Sequence, residues 1–118
     1  MKESGFPASL GTLSTIRNHQ PASSNTAAII TVAAATLDYH IVDWIGWSYD
    51  GVPTGGKLTI TIDGTEVFDL DITTDGPGQF IFPPAGFYDP TRDPNEALVI
   101  TLAAGGSGVT GKLAASTR

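Results

Sequence analysis

The stretch KLTITIDGTEVFDLDI, residues 57–72, decides the fold class. Each half alternates between apolar and polar residues, as a strand does when one face is buried and the other faces solvent. Asp63 and Gly64 lie between the halves, and this dipeptide is typical of a tight turn between antiparallel strands. The stretch therefore predicts a β-hairpin.

The length of the connection determines which residues face each other across this hairpin. A plain two-residue turn would place Asp69 opposite Leu58, on the apolar face. A bulge or a three-residue loop would instead pair Leu58 with Leu70 and Ile60 with Phe68, which keeps the apolar side chains together. We therefore predict a bulge or a three-residue loop in this hairpin.

Strand signals continue on both sides of the hairpin. β-branched and aromatic runs, bounded by turns rich in glycine and proline, predict five further strands. These strands are residues 27–34, 38–50, 79–83, 96–103 and 109–117. No segment has the periodicity and capping residues of a helix. Seven short strands predict an all-β, single-domain antiparallel β-sandwich that is jelly-roll-like.

The longest predicted strand, residues 38–50, contains both tryptophans of the chain. Alternation places one set of apolar residues on the core face: Tyr39, Ile41, Ile45, Trp47 and Tyr49. His40, Val42 and Trp44 then lie on the opposite face. We expect Trp44 to pack under a second layer or in a subunit interface. The alternative is a sugar-binding platform, which would need the ring at a loop tip or on an otherwise polar face, with amide and carboxylate groups beside it.

The first 26 residues differ from the rest of the chain, because they are rich in Ser, Thr, Asn, Gly and Pro. We predict an N-terminal arm, residues 1–26, that is flexible or partner-bound, followed by a β-sandwich domain, residues 27–118. The arm also contains spaced apolar residues that could anchor it on a partner: Phe6, Leu10, Leu13 and Ile16.

The composition argues against several partners. Twelve acidic and six basic residues give a net charge of −6, and no basic cluster occurs, so we predict no nucleic-acid binding. There is no cysteine, which excludes disulfides. The apolar run at residues 27–35 contains a threonine and is too short to span a bilayer. We predict that the protein does not associate with membranes and that it is made in the cytoplasm of the producing cell.

No pattern of catalytic or metal-binding residues stands out. Asp69 and Asp71 would lie about 7 Å apart on one strand, where a solvated face is the simpler interpretation than a glycosidase pair. The chain has two isolated histidines, too few for a three-histidine zinc site. GGSG at residues 105–108 lacks the strand-to-helix context of a nucleophile elbow. We predict a protein that is not an enzyme and needs no cofactor or metal.

Three segments together resemble a group of small proteins from tailed bacteriophages and prophages. They are WSYDGVPTGG (47–56), DGTEVFD (63–69) and AGGSGVTGKL (104–113). The resemblance extends over residues 39–116 and does not include the first 26. It implies a virion structural protein with a jelly-roll domain that tends to form trimers. A head decoration (cement) protein, bound to the major capsid protein of the same phage on the capsid surface, is the expected function.

The alternative function is a carbohydrate- or receptor-binding module of a phage fibre or tail. Loops are where such contacts usually arise, and residues 84–95 form the longest irregular segment, with three prolines. Either function would use exposed side chains of this loop and of the long strand. We therefore name four residues as candidate oligomer or ligand contacts: Trp44, Phe87, Tyr88 and Arg92.

Overall fold

The computed structural model describes residues 14–34, 40–82, 86–87 and 96–118. Within these ranges the chain forms eight strands in two four-stranded antiparallel sheets and contains no helix, so the predicted all-β class is confirmed. The strands are β1 (Thr15–His19), β2 (Ala28–Val32), β3 (Val42–Tyr49), β4 (Gly56–Ile62), β5 (Thr65–Ile72), β6 (Gly78–Ile81), β7 (Leu98–Leu102) and β8 (Gly111–Thr117). Accordingly, the described ranges hold no helix that could cross a bilayer.

The order of the strands identifies the architecture as a jelly roll. Sheet 1 has the order β1-β8-β3-β6, and sheet 2 has the order β2-β7-β4-β5. Strands pair from the ends of the chain inward: β1 with β8, β2 with β7, β3 with β6, and β4 with β5. This nested pairing wraps one long hairpin into two facing sheets, which is the jelly-roll topology. The predicted sandwich is confirmed.

The hydrophobic core lies between the two sheets and is built mainly by their central strands. Alternate residues of these strands point inward and are almost completely buried: Ile45 of β3, Leu113 of β8, Leu58 and Ile60 of β4, and Ile100 and Leu102 of β7. Removing this apolar surface from water is the main stabilising term for a sandwich of this kind. The two sheets therefore hold each other in place through aliphatic side chains.

The β4–β5 hairpin confirms the predicted pairing of Leu58 with Leu70 and of Ile60 with Phe68. Its turn contains two residues, Asp63 with φ 54° and Gly64 with φ 72°. Both values lie in the left-handed region that a type I′ turn requires. The register then shifts after Ile60, so Val67 has no partner on β4. The bulge at Val67, and not a longer loop, returns the apolar residues to the inner face.

Sheet 1 begins earlier than the predicted domain boundary at residue 27. Thr15–His19 forms β1 and pairs with β8 along its whole length. Arg17 Nε donates a hydrogen bond to Thr117 Oγ1 at 2.9 Å, and His19 Nδ1 accepts one from the Ile29 backbone N–H at 2.9 Å. Backbone hydrogen bonds to β8 and polar side-chain contacts hold this edge strand. Its sequence therefore does not need the apolar alternation by which strands are predicted. The structured domain therefore includes part of the predicted arm.

Strand β3 contains a second bulge, and it changes one predicted face. The register with β8 shifts between Val42 and Trp44, which makes Asp43 the extra residue. Val42 and Ile45 are both fully buried, although strict alternation would separate them. The prediction that Val42 shares a face with Trp44 is therefore wrong. Beyond the bulge, alternation resumes.

The aromatic residues that follow the bulge pack toward the core, as predicted. Trp47 is half-buried against the core cluster. Tyr49 is buried, and its hydroxyl donates a hydrogen bond to the Ala103 carbonyl oxygen at 2.7 Å. Burial raises the pKa of the Tyr49 phenol. The phenol therefore remains a neutral donor that connects β3 to the end of β7.

Substitution of Ile100 by alanine tests the assigned core. Ile100 is fully buried, so Ile100→Ala should lower the free energy of unfolding by about 2–5 kcal/mol. Val52 is 68% exposed, so Val52→Ala should change the free energy of unfolding by no more than about 0.5 kcal/mol. Urea denaturation of both variants measures the difference. Equal losses in the two variants would contradict this core.

Candidate functional site

The outer face of sheet 1 carries a groove of about 680 Å³, which we call the Trp44 groove. Its lining includes residues from every strand of the sheet and from the adjoining chain. Its polar and aromatic side chains include Asn18, Gln20, Trp44, Ser48, Gln79 and Lys112. The larger part of the lining surface is apolar and includes Trp47, Pro77 and Leu113. This face is the candidate functional site.

The depth of the groove follows from the residues in one row across the sheet. Asn18 of β1 faces Ala114 of β8, Ala114 faces Gly46 of β3, and Gly46 faces Gln79 of β6. Cross-strand partners lie on the same face of a sheet. The two central strands thus contribute the smallest side chains and the two edge strands contribute amides. The result is a low floor between polar walls.

The indole of Trp44 lies over part of this floor. A Cβ atom at position 46 would be 2.5 Å from Cζ2 and 2.7 Å from Cη2 of Trp44, so the ring requires glycine there. The indole Nε1 donates a hydrogen bond to Gln79 Oε1 at 2.7 Å. These two contacts fix the ring across β3 toward the edge strand β6. The chain thus holds Trp44 in one orientation on the outer face.

Within the described ranges, Trp44 does not lie under a second layer, which was one of its two expected environments. The structure describes only two sheets, so no third layer of strands covers this face within the described ranges. The Gln79 amide lies beside the ring, whereas the carboxylate of Asp43 is paired with Arg118, so the condition set for a sugar-binding platform is met only in part. A role in a subunit interface stays a prediction.

Exposed isoleucines flank Trp44 on both sides. The strand registers place Ile16 of β1, Ser116 of β8, Trp44 and Ile81 of β6 in one row. Ile16 is 66% exposed and Ile81 is 67% exposed. One end of the Trp44 groove therefore continues into an apolar band that reaches both edges of the sheet.

A charged corner lies beyond this band and joins both ends of the described chain. Arg118 Nε donates hydrogen bonds to the two carboxylate oxygens of Asp43 at 3.0 Å and 3.1 Å. The Ser14 hydroxyl donates to the same carboxylate at 3.2 Å. The backbone of Arg118 also pairs with that of Ile41. The segment that precedes Ser14 therefore joins the sandwich at this corner.

Of the other predicted site residues, the structure describes Ile16, in the row of Trp44, and Phe87, which lies away from that row. Phe87 is half-buried with its ring centroid 5.2 Å from that of Phe82 and 6.0 Å from that of Phe68, and it bridges to Val42 through the backbone. It therefore belongs to an aromatic cluster at the edge of the core. Ile16 lies in the apolar band. The remaining candidates lie outside the described residues: Phe6, Leu10, Leu13, Tyr88 and Arg92.

Carboxylates on the outer face of sheet 2 form a separate, solvent-exposed group. Lys57 Nζ is 3.8 Å from Glu66 Oε1 and 3.5 Å from Asp69 Oδ2. A hydrogen bond to Asp69 raises the pKa of the Glu66 carboxyl. No group of three or more metal-ligating side chains occurs in the part of the chain that the structure describes. The close carboxyl pair is thus Glu66 with Asp69, on an open hairpin face.

Two of the three motif segments contact each other in the fold. Asp50 of the first segment donates its backbone N–H to the Thr110 carbonyl at 3.0 Å, and its Oδ1 accepts the Thr110 N–H at 2.7 Å. The Thr54 N–H donates to the Gly105 carbonyl at 2.8 Å. A Cβ at Gly105 would lie 2.8 Å from the Tyr49 ring, which explains the glycine. These segments therefore form one structural joint between β3, β4 and the β7–β8 connection.

A comparison with protein-family models finds no match, and a comparison with curated proteins finds no significant similarity. Neither comparison supports the resemblance to tailed-phage proteins, which stays a prediction from the three motif segments.

Substitution of Gly46 by alanine tests the position of the Trp44 indole. The new Cβ would overlap the ring, so the indole N–H peak of Trp44 should move in a ¹H–¹⁵N NMR spectrum. The chain has two tryptophans, and the Trp47 peak should stay. Gly51→Ala is the matched control, because its Cβ would meet Val109 at an ordinary 3.5 Å. Unchanged indole peaks in Gly46→Ala would refute the described orientation.

The titration of Glu66 tests the hairpin face. Its carboxyl should titrate above the ordinary glutamate pKa, and Asp69→Ala should lower that pKa because the hydrogen bond is lost. Since folding raises this pKa, the associated stabilisation is present below the unfolded value and disappears as pH rises through the folded value. Carboxyl ¹³C shifts give the measurement, with Asp71→Ala as control. An unshifted wild-type titration would contradict the contact.

Proposed function

We propose that the protein is a non-enzymatic structural protein of a tailed-phage virion, bound to the capsid surface as a head decoration protein. The observation that carries the proposal is the joint formed by the motif segments 47–56 and 104–113. The residues that resemble the phage proteins are thus the ones that shape the fold. Jelly rolls occur in viral capsid and lectin domains, which is compatible with this function. Fold alone does not define function, so the motifs remain essential to the proposal.

In this proposal, the N-terminal segment makes the contact with the major capsid protein. Phe6, Leu10 and Leu13 precede the charged corner in the chain, and Ile16 is exposed just beyond it. Apolar side chains at such spacing can bury surface on a partner at roughly 25 cal/mol per Å². A chain segment that orders on binding can extend over a wide area of the shell. The corner at Ser14, Asp43 and Arg118 then lies nearest the capsid.

We also propose that the decoration unit is a homotrimer. Sites where three capsid subunits meet allow one binding surface to be used three times, which increases the total affinity. The exposed Ile81 on the edge strand β6 offers apolar surface for a contact between protomers. Such a protein needs shape and apolar burial and no chemical step. It would be made in the host cytoplasm and remain on the virion.

A truncation that removes residues 1–13 tests the capsid contact. This deletion stops before β1, whereas a deletion through residue 20 would remove an edge strand of sheet 1. The truncated protein should keep the wild-type melting temperature. Phage heads assembled without the protein serve as the binding target. The truncated protein should bind them at least about tenfold more weakly than the full-length protein, because the apolar side chains of Phe6, Leu10 and Leu13 are lost. Co-sedimentation with purified heads measures the binding of the truncated and the full-length protein.

The Val52→Ala variant is the control for this experiment, since its side chain is exposed at a distant turn. It should bind heads as the wild type does. If the full-length protein fails to sediment with heads, the decoration function is refuted. If the truncated and full-length proteins bind equally, the capsid contact lies elsewhere on the domain.

A further inference from the structure

We propose that the Trp44 groove binds an oligosaccharide that carries an acidic substituent, with Trp44 as the surface on which one ring stacks. The inference rests on the geometry of sheet 1 and is independent of the capsid proposal. The same groove can serve a free domain or a virion-bound one.

The first support is the fixed indole. Sugar rings have apolar faces of C–H groups and polar margins, and a tryptophan offers a broad apolar surface of the matching kind. The hydrogen bond from Trp44 Nε1 to Gln79 Oε1 and the contact with Gly46 hold the ring before any ligand arrives. A preorganised side chain loses little conformational freedom on binding. The groove is therefore prepared for a flat ligand.

The second support is the chemistry of the walls. Asn18 and Gln20 on one side and Gln79 on the other present amide groups, and Ser48 adds a hydroxyl. Amides and hydroxyls both donate and accept hydrogen bonds, as sugar hydroxyls do. Gln79 uses its oxygen for Trp44, so its NH₂ group remains a donor beside the ring. These groups could bond the hydroxyl groups of a sugar, while the larger apolar part of the lining, with Trp44 and Pro77, would face its C–H groups.

The third support is the length of the groove. Lys112 faces Ser48 on β3, four residues beyond Trp44. Strand geometry separates these two positions by roughly 14 Å. The indole itself extends over Gly46, so a sugar ring stacked on it lies two residues, roughly 7 Å, from the row of Ser48 and Lys112. Linked rings that follow β3 would occupy the rest of the groove of about 680 Å³.

The fourth support is the charge of the lining. The protein carries a net charge of −6, yet no aspartate or glutamate is among the described residues that line the groove. Lys112 is exposed and is the lysine of that lining. Asp43, near the Trp44 end, is engaged by Arg118. A carboxylate on the oligosaccharide, as in a uronic or sialic acid, would lie against Lys112.

A glycan array tests the proposal with the full-length protein. The array should present neutral oligosaccharides and oligosaccharides of equal length that contain uronic or sialic acid. We expect binding with a preference for acidic chains. Trp44→Ala should reduce that binding at least about tenfold, whereas Ile29→Ala, an exposed apolar position on sheet 2, should not change it.

A matched pair of lysine variants tests the charge. Lys112→Ala should remove the preference for acidic chains and leave the binding of neutral ones. Lys57→Ala, on the outer face of sheet 2, should keep the preference. Calorimetric titration with the best-binding oligosaccharide gives the affinities. If Trp44→Ala does not fold, as judged by circular dichroism, Gln79→Ala and Asn18→Ala replace it, since both positions are exposed, and each should weaken binding several-fold.

Three outcomes would overturn the proposal. The first is an absence of binding by the wild type to every oligosaccharide on the array. The second is equal binding by the wild type and by the groove variants. The third is a change of solution mass in Trp44→Ala without glycan binding by the wild type, which would identify the groove as an interface between copies of this chain.

Discussion

The bulge at Asp43 is the constraint on which the arrangement of sheet 1 depends. One extra residue between Val42 and Trp44 lets Val42 and Ile45 both enter the core and turns Trp44 outward. Strict alternation would leave one of the two buried residues in solvent. The carboxylate of the bulge also binds Arg118, which holds the end of β8 against β3. One local irregularity thus completes the core and defines the outer face.

The proposed functions use adjacent parts of that outer face, because Trp44 directly follows Asp43 of the charged corner. The charged corner is where the N-terminal segment joins the domain, so a capsid contact through that segment lies at this end. The Trp44 groove extends along β3 in the other direction, toward Lys112. Its floor contains Gly46, where the lack of a side chain leaves room for the indole, and Ala114 in the same row. The part of the groove near Lys112 is thus the farthest from the proposed attachment corner.

The sequence was informative where a structural signal is local. The hairpin pairing and the inward position of Tyr49 follow from a period of two residues and from turn chemistry. Strand β1 was not predicted because it has no apolar alternation. Backbone pairing with β8 and the hydrogen bonds of His19 and Arg17 hold it instead. The β3 bulge has no local signal, since packing against the opposite sheet selects it. The groove joins residues from four strands, such as Asn18 and Gln79, and only the jelly-roll order brings them together.

An electron cryomicroscopy reconstruction of the phage head tests the central claim most directly, because it shows the charged corner and the Trp44 groove at once. The account predicts jelly-roll trimers on the shell exterior, with the corner at Ser14 and Arg118 against the capsid and the Trp44 groove open to solvent. Heads without such density, or trimers that press the Trp44 groove onto the shell, would contradict it.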